Sequence, residues 1–414
     1  MPEQPLVDTA PLTEAAAEEY VAERAFSTGT PGFVGTEVER LLRWREGPTR
    51  PVTPATVRAV LEGASAFPRH GRLTFEPGGA LEVSSPPSPG IDDCLTRTAI
   101  DLTGVEGALA AAGIVPVERA LEPVRPPRRV VRTPRYDAMQ RFFDRRGGAG
   151  RWMMCSTASV QVCVDAGHET GPLGYRRRWA LAHAVGPVLV AAFANSPLRL
   201  ARPTGWCSTR QAVWLRLDPS RTVPPAGGDP REAWARYALD AEVMCVRDDH
   251  GAWAVPVGLT FRQWLRTGRP RPATLEDLEY HLTTLFPPVR PRGYLELRMI
   301  DGQPGDWWMV PVAVVAALFG DAMAGDEVFA LTERLHATRA SYHSGPWARA
   351  ARSGLHDPLL ATTALEVFLA AYAALARQNV SRPVRDAVAA YIERYVSRGR
   401  APADDVLDTL REAA

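Results

Sequence analysis

The feature that most constrains this chain is a period-two alternation in several short stretches, one face apolar and the other carrying carboxylates, glutamine, tryptophan or arginine. Successive strand side chains point to opposite faces, so residues two apart lie together. In residues 32–41, Val34, Thr36 and Val38 share one face while Glu37 and Glu39 project from the other. In residues 294–299, Leu295, Leu297 and Met299 oppose Tyr294, Glu296 and Arg298. In residues 154–165, Ala158, Val160, Val162 and Val164 oppose Thr157, Ser159, Gln161 and Asp165. Residues 211–218 are expected as a fourth strand, setting Val213, Leu215 and Leu217 against Trp214, Arg216 and Asp218. A merely solvated face would carry lysine, threonine and scattered charge. This pattern predicts an antiparallel sheet with helices on one side and a functional cleft on the other. A helix is expected over residues 13–27, capped by Thr13, with Glu14 to Glu23 solvated. Beyond Trp307 the spacing turns helical, over 312–319, 359–376, 384–397 and 406–411, with Pro311 in a first turn. Pro/Gly-rich joints fall at 84–90, 123–128, 223–230 and 268–272. One domain is expected, α+β in class, with residues 1–12 frayed and residues 307–414 mostly helical.

Composition narrows the partners. The 414 residues have a formal net charge of +1, so no overall field draws the chain to nucleic acid or to a membrane surface. Five cysteines (Cys94, Cys155, Cys163, Cys207, Cys245) form no CxxC pair and are expected as buried thiols in a reducing compartment. The N-terminus has neither the basic start nor the apolar core of a signal peptide, and the apolar run 307–320 is too short for a bilayer. A soluble, cytoplasmic protein, monomer or dimer, is the expectation.

Glu37 and Glu39, like charges on one face, are costly together unless a cation sits between them. Glu76 and Glu82 flank a Pro-Gly-Gly turn whose glycines permit a tight backbone and close approach of a ligand. Such hard oxygen donors suit Mg2+ or Mn2+, and Mg2+ usually arrives with substrate phosphates. No GxxxxGK[ST] loop, strand-borne GxGxxG, GxSxG or HExxH is present, and His168, His183 and His250 show no metal-ligand spacing.

HLTTLFPPVR (281–290), followed by GYLELR (293–298) and Asp301-Gly302, resembles a motif set of glutamate–cysteine ligases of the plant and proteobacterial type. EPGGALEVS (76–84), RYDAM (135–139), TASVQ (157–161) with Asp165, FANSP (193–197) and STRQAVW (208–214) fall in the same family order. The resemblance runs from about Phe33 to about Asp321. Length, Ala/Arg/Pro usage and the lack of a transit peptide look most like the actinobacterial subgroup that makes γ-glutamylcysteine for ergothioneine.

The resemblance implies a sheet bent into a funnel, as in glutamine-synthetase-like carboxylate–amine ligases, with helices on its outer face. It implies ATP, L-glutamate and L-cysteine as substrates, with γ-glutamylcysteine, ADP and phosphate as products. Glu37, Glu39, Glu76, Glu82 and Glu296 match metal-ligand positions. Arg298, with Glu296, matches the catalytic positions. Arg210, Trp214, Gln161 and Tyr136 match substrate positions, and Thr157, His281, Thr283 and Arg290 match the nucleotide side. Departures occur at Pro291, Gly293, Ala80 and Ser85. They spare the acidic positions but leave open another amine acceptor, or a non-catalytic paralogue that binds glutamate or nucleotide.

Overall fold

The computed structural model describes residues 12–248, 251–337 and 341–412. The fraying expected for residues 1–12 therefore falls almost wholly outside the described residues, as does His250. β1 (Phe33–Trp44) organises the sheet. With β2 (Arg72–Phe75), β3 (Leu81–Ser84), β4 (Ser88–Pro89), β5 (Ile114–Val117) and β6 (Ser159–Asp165) it makes most of an eight-stranded sheet. A separate hairpin is formed by β7 (Leu198–Arg199) and β8 (Arg202–Pro203). β9 (Val289–Pro291) and β10 (Tyr294–Asp301) then complete the large sheet in the order β2-β3-β1-β6-β10-β9, with β4 and β5 paired to β1. Its pairings are antiparallel and the sheet is open. The fold is α+β.

The alternation of β1, β6 and β10 does what period two requires. Val34, Val38, Val160, Val162, Val164, Leu295, Leu297 and Met299 are all buried in the main core. They pack against helices Gly90–Ala111, Tyr175–Ala192 and Met309–Gly320. The last is apolar all round, with Val310 to Phe319 buried and Pro311 in its first turn. Its neighbour Pro358–Arg377 is, among the described residues, the one single helix long and apolar enough to cross a membrane, and half of its most apolar window is buried inside the fold. Beyond β10 all regular structure among the described residues is helical: Arg382–Arg394 and Pro402–Glu412 fall where expected, and Ala322–His336 and Pro346–Ser353 add to them.

Three expectations change. Residues 211–218 are not a strand. Ser208 caps a helix, Thr209–Trp214, by accepting from the Gln211 amide at 3.1 Å. A serine cap outweighs three alternating apolar residues that have no strand to pair with. Residues 154–156 end the helix Ala149–Ser156, so β6 begins only at Ser159. The N-terminal helix, Glu14–Ala25, keeps its Thr13 cap but stops before Phe26, which turns extended and bridges to Gly293. Its Glu14 and Glu18, partly exposed as expected, pair with Arg262. All five cysteines are free, and Cys155 and Cys163 are only half-buried.

Candidate active site

The polar sheet face floors a cavity of about 720 Å³, whose lining includes Glu37, Glu39, Glu76, Glu82, Gln161 and Arg298. Register brings the acidic groups together. Glu39 on β1 lies directly opposite Glu82 on β3, and Glu37 lies opposite Ser84 and Gln161. Like charges facing each other across an antiparallel pair destabilise it unless something positive intervenes. Glu76 joins them from the turn after β2, and one carboxylate oxygen from each of Glu39, Glu76 and Glu82 lies within 4.8 Å of the others. The turn needs its glycines for a reason internal to the chain. A Cβ on Gly78 would stand 2.1 Å from the Cys155 carbonyl oxygen, and Gly79 has φ +88°. The close approach expected there is to backbone.

Each carboxylate has a distinct environment. Glu39, 8% exposed, accepts from the Ser159 amide at 2.8 Å, Ser159 Oγ at 2.9 Å and Gln161 Nε2 at 3.1 Å. Burial, then Glu82, raises its carboxyl above the usual range. Burial, then Glu39 and Glu82, pushes Glu76 up to about 8. Burial, then Glu296 and Glu82, does the same to Glu37. Glu82 accepts from Thr74 Oγ1 at 2.6 Å and Ser84 Oγ at 3.1 Å. Three clustered carboxylates with oxygens in mutual reach suit a hard divalent cation.

Glu296 stands apart from this triad. It is fully buried, and both its oxygens are engaged by Arg290, Nε to Oε2 at 3.0 Å and Nη2 to Oε1 at 2.9 Å. Arg298 Nη1 also donates to Oε1. Burial opposes its charge, but Arg290 and Arg298 hold its carboxyl down at about 2. Among the described residues Glu296 anchors two arginines, while it still lies close enough to Glu37 to push that carboxyl up. Arg298 Nη1 also reaches Gln161 Oε1 at 2.6 Å, linking the arginines to the Glu39 network.

Arg210 reaches the same cavity from the helix Thr209–Trp214. A register shift between Leu297 and Ile300 disturbs the β10 ladder near Arg298 and Met299. Their carbonyls accept from Arg210, Nη2 to Arg298 O at 2.8 Å and Nη1 to Met299 O at 3.3 Å, while Gln211 Nε2 takes Met299 O at 2.6 Å. Behind Arg210, at 3.6 Å, buried Asp301 accepts from the Asn195 amide at 3.0 Å, Ser196 Oγ at 2.7 Å and Ser208 Oγ at 2.9 Å.

Tyr136, Thr157, Trp214, Thr283 and Arg290 also line the cavity. Trp214 packs on Phe286, and its Nε1 is buried with no partner among the described residues. His281 does not line the cavity. Its Nε2 meets the Ala238 carbonyl at 2.8 Å and its ring stacks on Phe261 in the wall behind. Four contributors were not singled out from the sequence. Arg135 donates to Thr283 Oγ1 and O at 2.9 and 3.0 Å, Ser159 holds Glu39, Asp301 backs Arg210, and Tyr20 closes one rim by donating to Glu279. The first three sit in motifs already quoted or on the polar face of β6. Tyr20 gives no local signal, because only packing brings its helix to the rim.

The chain is similar to known proteins. Residues 33–414 match the model of glutamate-cysteine ligase family 2. The chain is 39% identical over 407 residues to the glutamate–cysteine ligase EgtA of Mycolicibacterium smegmatis, covering 95% of this chain and 90% of that one. It is 38% identical over 413 residues to the protein of the same name from Mycobacterium tuberculosis, covering 97% and 91%. A solved glutamate–cysteine ligase from Francisella tularensis, in complex with AMP, aligns with a TM-score of 0.49 at 12% identity, over 93% of this chain and 86% of that one. The chain belongs to glutamate-cysteine ligase family 2.

Proposed function

We propose that this chain joins the γ-carboxylate of L-glutamate to the amine of L-cysteine, with ATP cleaved to ADP and phosphate, as the first step towards ergothioneine. The carrying observation is one cavity in which the Glu39–Glu76–Glu82 triad faces a glutamate-anchored pair of arginines. Overall likeness to the two ligases named EgtA supports the choice of substrates.

A carboxylate is a poor electrophile, so it must be activated, and a γ-glutamyl phosphate is the economical route. In that step the incoming carboxylate and the γ-phosphate are both anionic. The chain's own contribution is to relieve this repulsion with fixed positive groups. Arg298 and Arg290, anchored on Glu296, are pre-set beside the acidic face, so little reorganisation accompanies the charge that develops during transfer. Arg210, braced by Asp301, is the partner for the α-carboxylate of glutamate. Tyr136, Gln161 and Trp214 line the substrate side, and Thr157 and Thr283 the nucleotide side. Glu39, Glu76 and Glu82, with Glu37 beside them, would hold Mg2+, or Mn2+ in its place, which when bound supplies the positive charge that draws ATP phosphates to this face. No covalent enzyme nucleophile is needed.

The test is ADP release with product mass. Glutamate, cysteine and Mg-ATP together are expected to yield stoichiometric ADP and γ-glutamylcysteine. ADP formation that ignores cysteine but follows another amine in a panel would reassign the acceptor. Absence of glutamate-dependent ADP would end the proposal.

A further inference from the structure

On the side where the C-terminal helices pack, a second cavity of about 560 Å³ shares no lining residue with the acidic one. Its walls are mostly apolar, with Trp307, Met309, Tyr395 and Val406 among them; the charged groups in its lining are Arg119 at one side, Arg394 paired with Asp405, and the exposed Asp306. Trp307 and Tyr395 meet edge to face, with centroids 6.2 Å apart. Arg119 is half-buried, and the one hydrogen bond of its side chain among the described residues runs from Nη1 to the neighbouring Glu118 carbonyl at 2.6 Å. Burial presses its pKa below the usual guanidinium value. The acidic side chains that act on it are committed elsewhere, Asp405 to Arg394 and Arg400, and Glu118 to the Gly305 amide. Desolvated charges are normally paired, so a guanidinium left facing a cavity is a docking point for an anion. Mostly apolar walls with a few polar and charged groups are the usual make-up of a small-molecule pocket, and the volume is in the usual range; of the two arginines in this lining, Arg394 is paired with Asp405 and Arg119 has no carboxylate partner among the described residues.

We propose that this cavity is a second small-molecule site for a compact aromatic carboxylate, its anionic group on Arg119 and its ring against Trp307 and Tyr395. The site is independent of which amine the acidic cavity accepts.

The test is calorimetric titration of the full chain with indole-3-acetate, phenylacetate, tryptamine and acetate, run with saturating glutamate and Mg-ATP so that the acidic cavity is filled. The two aromatic acids are expected to bind saturably, and tryptamine and acetate at least about tenfold more weakly. Arg119→Gln is expected to weaken the acids about tenfold or more while ADP release stays unchanged. Thr409→Trp, at an exposed rim position, is expected to block the same binding without touching Arg119. Any of three results overturns the proposal: no saturable binding of either acid up to about 10 mM, equal binding of tryptamine, or undiminished binding to both variants.

Discussion

Glu37 and Glu296 are both expected to be needed for activity, yet replacing Glu296 with glutamine should destabilise the fold while replacing Glu37 should not. Glu296 is fully buried, and its two oxygens neutralise Arg290 and Arg298, themselves 11% and 16% exposed. Removing one partner of a buried ion pair costs on the order of 3–5 kcal/mol, because the remaining charge is stranded. A carboxyl held at about 2 instead of 4.5 leads to a similar figure, roughly 3 kcal/mol at neutral pH. With an unfolding entropy of about 2 cal/mol/K per residue over 414 residues, 3 kcal/mol corresponds to a fall in Tm of roughly 3–4 °C. Glu37 is the reverse case. Burial and its acidic neighbours push it up to about 8, so its folded pKa lies above the unfolded 4.5. Its contribution to stability is full below the unfolded value and is lost as pH rises towards 8. In a chelator at pH 7, Glu37→Gln removes an unfavourable group and should raise Tm or leave it unchanged. Thermal unfolding of both variants in EDTA and in Mg2+, beside glutamate- and cysteine-dependent ADP release, separates the cases. A Glu296→Gln protein melting within about 1 °C of the parent, or a Glu37→Gln protein melting several degrees lower in EDTA, would refute the reasoning.

Asp301→Asn should raise KM for glutamate about tenfold or more with a smaller change in kcat and in KM for ATP, because Asp301 backs Arg210 at 3.6 Å. Initial-rate kinetics at fixed saturating ATP read this out, and equal losses for both substrates would count against it. Gly78→Ala forces a Cβ to within 2.1 Å of the Cys155 carbonyl and should cost about 1–3 kcal/mol, with loss of activity, as judged by urea midpoint. Burial holds His183 at about 4 and His281 at about 3, against 6.5 when unfolded. The unfolded chain therefore binds protons that these rings refuse, and stability falls as pH drops from 6.5 through 4, by about 1.4 kcal/mol per pH unit for each. His281→Gln, which keeps a donor towards the Ala238 carbonyl, should flatten that acid limb by about one proton. Urea midpoints at several pH values measure the slope, and an unchanged slope would remove His281 from the account.

The local sequence determined a good deal here. Side-chain alternation at Glu37 and Glu39, at Ser159 and Gln161, and at Glu296 and Arg298 follows from the two-residue repeat of any strand, so the polar face could be written down before any pairing was known. The apolar stretch around Val312 to Phe319 could only be a buried helix in a chain of this composition. Other features depended on tertiary structure. That Glu39 faces Glu82 follows from the β1–β3 register, which is a relation between segments more than forty residues apart. That Glu296 holds Arg290 and Arg298 follows from the β9–β10 pairing, which sets Glu296 opposite Arg290 with its side chain fully buried. Alternation in residues 211–218 misled because a short pattern fits either period. The Ser208 cap and the carbonyls of Arg298 and Met299 then favoured a helix. Side-chain direction is a local property of the backbone, whereas which charges neutralise one another depends on which segments meet.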